Sequence, residues 1–487
     1  SPLCQALLTF LRNSERQKAL NLDSELKTVP LDINTPYSLV ELVLSIQETN
    51  DEYDCICTYA DSLFTQQSVI TIIEHFCVLL EMFTKNILCN VITNSMNSEH
   101  EKEMLCNWNR NESPLLWDNV IEKIYKNSKL LPNNIAIRGE AVTLSYENLW
   151  KKVNVLSKEI LAIESKRIGI FMQKSETAIV AILSVLACGK SYVPIDPTFP
   201  VVRIEQMLAD AHVLCCLCSL KTKTFAESFD TKIICVDITE TIVDDIVEFN
   251  PISVNSKDEI YVLFTSGSTG NPKGVSVSHV SVANLVQSHV KTLNLSAEDK
   301  VFHMASLTFD VSVAEIFSTL CIGATLLEYS NWTQNIERVG ASVLHITPSA
   351  LQLLNHKKCS NLRIICSAGE SLPLELAKKW INPTRAVFNS YGPTEATIYA
   401  TETEVSKDQL TIGKPTANTE IHILDKYHIS QPIGVPGELC ISGIGVSNGY
   451  INNEKANKTQ FVTIGGKLIY KTGDKARWLS NGEVQHL

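Results

Sequence analysis

The segment Thr265 to Gly274, Thr-Ser-Gly-Ser-Thr-Gly-Asn-Pro-Lys-Gly, follows an apolar, β-prone run from Ile260 to Phe264. Gly267, Gly270 and Gly274 let main-chain N–H groups converge on an anion where side chains would clash. Thr265, Ser266, Ser268 and Thr269 add hydroxyl donors, and Lys273 adds a mobile positive charge. Strand, glycine-rich loop and lysine in that order suit a polyphosphate. The competing account is a flexible Ser/Gly linker. The G-x-x-x-x-G-K-[ST] spacing of the common nucleotide-binding loop is not met, so a different phosphate-handling site is needed.

Three more segments carry compatible chemistry. Asn389-Ser390-Tyr391-Gly392-Pro393-Thr394-Glu395 displays a ring, a hydroxyl and a carboxylate around a Gly-Pro turn. A ring stacks on a base, a threonine donates to phosphate and a glutamate holds Mg²⁺; the plainer account is a surface turn. Tyr470-Lys471-Thr472-Gly473-Asp474 ends a strand with a carboxylate suited to two ribose hydroxyls, or is simply a turn. Asp310 sits between Phe309 and Val311. An acid in apolar company is costly unless paired, so it should meet a cation or several donors, or else stand at a helix N-terminus.

From about Val120 onward, β-like runs alternate with helical ones, which predicts α/β layers. Arg167–Phe171 reads as a buried strand, and Ser175 as the cap of a helix carrying Ala178, Ile179, Ile182, Leu183 and Leu186. Pro200 opens another helix, followed by a strand at Val213–Leu217. Further strands are expected at Ser342–Ile346 and Leu362–Cys366, and the tail from Ile421 is rich in β-turn signals. In the first hundred residues, Leu39–Ile46 and Cys55–Tyr59 read as antiparallel strands around Asn50-Asp51, with a helix at Gln67–Phe83. The polar stretch Asn94–Glu103 reads as an interdomain linker.

The 487 residues suffice for about three domains' worth of structure. A net charge of −11 argues against nucleic acid as the main partner. No apolar run is read as reaching the ~18 residues of a membrane span, so no membrane is expected. The 15 cysteines are scattered through apolar runs, which suits reduced core positions and a cytoplasmic location. Cys215, Cys216 and Cys218 fit no common zinc spacing.

Thr265–Gly274, Tyr391–Glu395 and Tyr470–Asp474, in that order and spacing, resemble the motifs of the adenylate-forming (AMP-binding) superfamily. More narrowly, the chain resembles the adenylation domains of nonribosomal peptide synthetases. Supporting segments are Leu144–Leu149, Leu186–Asp196 and Gly437–Gly443. The resemblance implies an α/β fold with a multi-layered core of two α/β subdomains and a β-rich subdomain, over residues 116–487. Residues 1–93 resemble the α+β end of a condensation domain, and 94–115 its usual linker to adenylation. No His-His-x-x-x-Asp-Gly occurs, so condensation chemistry is expected outside the chain. The chain stops at Leu487, where the family's small C-terminal subdomain should begin; without that subdomain's lysine the piece is expected to bind its substrates yet catalyse poorly.

The implied reaction joins an amino-acid carboxylate to the α-phosphorus of ATP, releasing pyrophosphate, before transfer to the phosphopantetheine thiol of a carrier domain. By the resemblance, Thr265, Ser266, Gly267, Ser268, Thr269, Gly270 and Lys273 hold the β/γ-phosphates, and Thr394 reaches the α-phosphate. Glu395 binds Mg²⁺. Tyr391 and Gly392 meet adenine, Asn389, Gly369, Glu370 and Ser371 border it, and Asp474 takes the ribose hydroxyls. Asp310 matches the acid for the substrate ammonium. Val311, Ala314, Ile346, Cys366, Ala368, Ser390, Ile398 and Tyr399 would complete a mostly apolar pocket, for a hydrophobic and even aromatic amino acid. The alternatives are an acyl- or aryl-CoA ligase, which has no ammonium to neutralise, and a catalytically silent docking scaffold.

Overall fold

The computed structural model describes residues 4–12, 40–48, 52–88, 94–238, 249–265 and 272–487. Ser266 to Gly270, the centre of the glycine- and hydroxyl-rich loop, and the turn at Asn50-Asp51 lie outside the described residues. The chain forms two compact units, Ser1–His100 and Glu101–Leu487.

In the smaller unit, strand Leu42–Glu48 pairs parallel with Ala6–Leu11 and antiparallel with Tyr53–Tyr59. Thr65 caps the helix Gln66–Lys85 by accepting from the Ser68 N–H. At 20 residues and a mean hydropathy of 1.3, this helix is long and apolar enough by length and composition to cross a membrane. This helix thus departs from the expectation that no apolar run is long enough for a span.

Among the described residues the larger unit has three sheets. A seven-stranded sheet has a parallel core of Glu259–Thr265, Ser191–Ile195, Arg167–Phe171, Cys215–Ser219 and Lys232–Val236. Its edge turns antiparallel at Lys273–Ser278, which folds back on Glu259–Thr265 and sets Lys273 opposite Thr265. A nine-stranded sheet runs parallel through Ala386–Tyr391, Ile364–Ser367, Val343–Ile346, Lys300–Phe302, Thr325–Glu328 and Ile135–Gly139. The third sheet is antiparallel and holds Thr419–Leu424, Gly437–Gly443, Lys467–Trp478, Phe461–Ile464 and Val484–His486.

Helices Glu176–Ala187 and Val311–Ile322 are buried along nearly their whole length, as their all-round apolar sequences require. Ser175 caps the first as expected, its side chain accepting from the Ala178 N–H. The stretch read as a linker instead contains a helix, Glu99–Asn109. Within the larger unit, Leu105 and Trp108 of that helix, three residues apart, join the cluster around Trp478, with the Trp108 and Trp478 rings 5.3 Å apart. Asn109 and Asn111 then bond the main chain of Ile421, Thr416 and Thr419 at 2.7–2.9 Å. A polar composition hid these contacts, because asparagine amides make them through the backbone.

Candidate active site

Parallel strands deliver their following loops to one edge, and ligands of open α/β sheets bind beyond those carboxyl ends. Ile346, Ser367 with Ala368 and Gly369, and Asn389 to Tyr391 all lie at or just beyond strand C-termini in the nine-stranded sheet. A cavity of about 310 Å³ opens there. It is lined by Gly369, Glu370, Ser371, Asn389, Ser390, Tyr391, Gly392 and Asp474, together with Leu372, Leu410, Thr411, Ile412 and His486. Residues from three distant stretches expected around adenosine, Gly369–Ser371, Asn389–Gly392 and Asp474, thus share one cavity. The Tyr391 hydroxyl donates to Asp474 Oδ2 at 2.5 Å, and the Asn389 amide donates to the Thr411 carbonyl at 2.7 Å. His486 faces the Tyr391 ring with centroids 5.9 Å apart, and had no motif to reveal it.

Gly392 is demanded by a close approach: a Cβ there would stand 2.3 Å from the Ile398 carbonyl oxygen and 2.7 Å from the Ala400 nitrogen. Two consecutive left-handed residues follow, Thr397 at φ 55° and Ile398 at φ 78°. Such backbone costs energy at a β-branched residue and clusters at functional sites.

Asp310 is buried at the start of helix Val311–Ile322, where its side chain makes no capping bond. No cation meets it among the described residues. Instead the Thr394 hydroxyl donates to Asp310 Oδ2 at 2.6 Å. Burial pushes the Asp310 carboxyl up to about 6, with the Thr394 bond pulling the other way. The loop before it is held by Glu315, whose two oxygens accept the Met304 and Ala305 N–H groups at 3.1 Å. Burial likewise raises Glu315 to about 7.

Glu395 is buried and accepts from the Tyr450 hydroxyl at 2.7 Å. The Lys273 ammonium lies 5.1 Å from the centre of the same Tyr450 ring. Tyr450 therefore ties the base of the expected phosphate loop to the expected metal ligand. It escaped notice in the sequence because it stands alone, 55 residues beyond Glu395.

Of the expected amino-acid pocket, Val311, Ile346, Ala368 and Tyr399 line a second cavity of about 90 Å³, with Met304, Ala305, Phe309, His345 and Thr347. Ser390 lines the larger cavity, while Ala314, Cys366 and Ile398 are buried and line neither. Behind this cavity lies a polar cluster that the apolar expectation did not include. His289 Nδ1 donates to Glu402 Oε1 at 2.7 Å, and the Nε2 atoms of His289 and His345 lie 2.8 Å apart. The Ser390 hydroxyl donates to the same Glu402 oxygen at 2.9 Å and receives the Cys366 thiol at 3.1 Å.

Asp310 lines neither cavity, but its neighbours Phe309 and Val311 both line the smaller one. Residues 125–451 match the family model described as "AMP-binding enzyme", and the chain belongs to that family. Among curated proteins, it is 30% identical to bacitracin synthase 3 of Bacillus licheniformis over 94% of its own length and 8% of that protein's. It is 30% identical to surfactin synthase subunit 1 of Bacillus subtilis, covering 94% of this chain and 13% of the relative. Gramicidin S synthase 1 of Brevibacillus brevis is 32% identical over 83% of this chain and 38% of its own length. The chain thus spans well under half of each of these relatives.

Among solved structures, two illustrate the shared fold. The nonribosomal peptide synthetase FmoA3 gives a TM-score of 0.85 at 22% identity, over 98% of this chain and 54% of that one. The N-terminal subdomain of Klebsiella oxytoca NpsA, in complex with 3-hydroxybenzoyl-AMSN, gives 0.69 at 20% identity, over 77% of this chain and all (100%) of that one.

Proposed function

We propose that the chain is the amino-acid-activating part of a nonribosomal peptide synthetase, forming an aminoacyl-AMP from an amino acid and ATP with release of pyrophosphate. The observation that carries this reading is Asp310: a buried carboxylate that meets no cation among the described residues, flanked by Phe309 and Val311 of the small apolar cavity and hydrogen-bonded to Thr394 of the motif beside the larger one. A buried anion of this kind is completed by an ammonium. Acyl- and aryl-CoA ligases carry no such group on their substrates.

In this reading the larger cavity takes adenosine, with Tyr391 against the base and Asp474 on the ribose hydroxyls. Thr394 turns from Asp310 to the α-phosphate once ammonium and ATP arrive. Thr265 and Lys273, paired across the hairpin, hold the two ends of the loop that meets the β/γ-phosphates. Mg²⁺ would be held by Glu395, whose buried carboxylate beside Tyr450 suits a hard cation, and would neutralise charge on the departing pyrophosphate. No protein nucleophile is required, since the gain comes from orientation and charge neutralisation. Residues 1–93 as the end of a condensation domain, a carrier-domain partner with its phosphopantetheine thiol, a cytoplasmic location and a hydrophobic substrate side chain complete the proposal.

The test is ATP–pyrophosphate exchange by the full-length protein over a panel of amino acids, fatty acids and aryl acids. Exchange with an amino acid and none with the other two classes is expected. Exchange with a fatty or aryl acid alone would assign the site to another adenylating class, and no ATP binding at all would revive a silent scaffold.

A further inference from the structure

The hairpin of strands Lys467–Trp478 and Val484–His486 carries two groups of the nucleoside cavity, Asp474 on the first strand and His486 on the second. Trp478 pairs with Val484, and Ala476 with His486. Strand residues alternate faces and paired residues share one, so Asp474, Ala476 and Trp478 lie on one face with Val484 and His486. The far end of that face is apolar. Ala476, Trp478 and Val484 join Leu105, Ile412 and Ile421 in one buried cluster, against which Trp108 and Tyr391 pack. Tyr391 and Ile412 are themselves walls of the cavity. One continuous body of side chains therefore reaches from the helix Glu99–Asn109 to the cavity.

Trp108 bears on the turn of this hairpin. Its ring meets that of Trp478 at 5.3 Å between centroids, and it also covers Gly482, where a Cβ would stand 2.7–2.9 Å from Nε1, Cδ1 and Cε2 of the indole. Gly482 has φ 77°, so both its backbone and the ring above it call for glycine. The turn is tied to the cavity through the main chain as well. The Val484 N–H donates to the Gly413 carbonyl at 2.8 Å, and the Ile412 N–H to the Val484 carbonyl at 2.9 Å. The Thr411 hydroxyl donates to Glu483 Oε2 at 3.1 Å, and the Thr411 carbonyl is the acceptor of the Asn389 amide. The helix itself is held by other residues. Glu101 Oε1 accepts from the Ile433 N–H at 3.3 Å near one end, and Asn109 bonds both main-chain groups of Ile421 at the other.

We propose that Trp108 is a positioning residue for nucleotide binding: standing on Gly482 and Trp478, it fixes the hairpin so that Asp474 and His486 meet the nucleoside. Trp478 is about 13 Å along the strand from Asp474, close enough for a stiff, paired strand to carry a shift from one to the other. A carboxylate set for two ribose hydroxyls is sensitive to such a shift, because hydrogen bonds weaken steeply as their angle opens. Displacements of about 1 Å that start far from the ligand are costly for the same reason. Shortening the indole frees the turn, while Glu101 and Asn109 keep the helix docked. The inference rests on the adenylation reading, in which Asp474 takes the ribose, and adds to it a residue that lies outside the cavity and before the family match at 125–451.

The experiment titrates AMP and 2′,3′-dideoxy-AMP, which lacks both ribose hydroxyls, into the full-length protein by calorimetry. Wild type, Trp108→Ala, Trp108→Phe and Gly482→Ala are compared, the first two also in an Asp474→Ala background. The wild type is expected to prefer AMP at least about tenfold, since the dideoxy compound offers Asp474 no hydroxyl to accept from. That ratio should fall to within about threefold in Trp108→Ala and return toward the wild-type value in Trp108→Phe. In the Asp474→Ala background, Trp108→Ala should change it no further. Gly482→Ala displaces the indole from the hairpin side and should also shrink the ratio, so the inference stays testable if Trp108→Ala does not fold. A packing role alone would weaken both nucleotides equally and lower the urea midpoint with the ratio intact, and that result overturns the inference. Equal binding of the two nucleotides by the wild type also overturns it, because Asp474 then does not meet the ribose. Binding of neither nucleotide by the wild type overturns the adenylation reading itself.

Discussion

Thr394 Oγ1 donates to Asp310 Oδ2 at 2.6 Å, which joins the group proposed to meet the α-phosphate to the one proposed to meet the substrate ammonium. The bond links the two halves of the site. An ammonium arriving at Asp310 supplies the cation the carboxylate lacks and releases the threonine toward phosphate. Amino acid and ATP are then expected to bind with positive coupling, each favouring the state the other needs.

The amino-acid affinity should depend on pH through Asp310. Its carboxyl is raised to about 6 in the unliganded protein, so below that pH a proton must leave before an ammonium can bind. Calorimetric affinity is expected to be flat above about pH 7 and to fall about tenfold per pH unit below 6. A conjugate lacking the amine should show no such limb.

Asp310→Asn should stabilise the ligand-free protein at neutral pH while abolishing amino-acid binding. A group raised from 3.8 to about 6 contributes stability fully below the lower value and loses it as pH rises through the upper. At pH 7 the ionised carboxylate therefore costs about 3 kcal/mol at most. Urea unfolding should show the asparagine variant ahead at pH 7, with the advantage shrinking toward pH 4.

Gly392→Ala places a methyl 2.3 Å from the Ile398 oxygen, against backbone that cannot step aside. A loss of about 1–3 kcal/mol in urea unfolding is expected, with weakened nucleotide binding in whatever remains folded. Wild-type stability in this variant would mean that the turn is looser than its geometry.

Tyr450→Phe removes the hydroxyl that Glu395 accepts at 2.7 Å and leaves the ring beside Lys273 in place. The variant should fold, need a higher Mg²⁺ concentration for ATP binding, and bind AMP as the wild type does. An equal loss for AMP would assign Tyr450 to general packing.

Part of the candidate site was legible in the sequence because its residues come in short, contiguous motifs. Tyr391, Gly392, Thr394 and Glu395 occupy one turn, and Gly369 to Ser371 another, so their types and order sufficed. The α/β layers were equally clear, since Arg167–Phe171 and the helix capped by Ser175 each obey one periodicity. His289, His345, Glu402 and Tyr450 were not legible. None belongs to a recognisable motif, and the meaning of each comes from neighbours 55 to 113 positions away. The helix at Glu99–Asn109 was missed for a related reason: its two apolar anchors, Leu105 and Trp108, are outnumbered by polar residues that bond to the backbone of a distant sheet.

The most direct measurement compares an aminoacyl-sulfamoyl adenosine with the same compound lacking its α-amine, titrated into the wild type and into Asp310→Asn. The account predicts that the wild type loses about 100-fold or more in affinity when the amine is removed, as expected when a buried carboxylate is left unpaired. It predicts that Asp310→Asn scarcely distinguishes the two compounds. Equal binding of both by the wild type would contradict the assignment of Asp310 to an ammonium, and with it the reading of this site as an activator of amino acids.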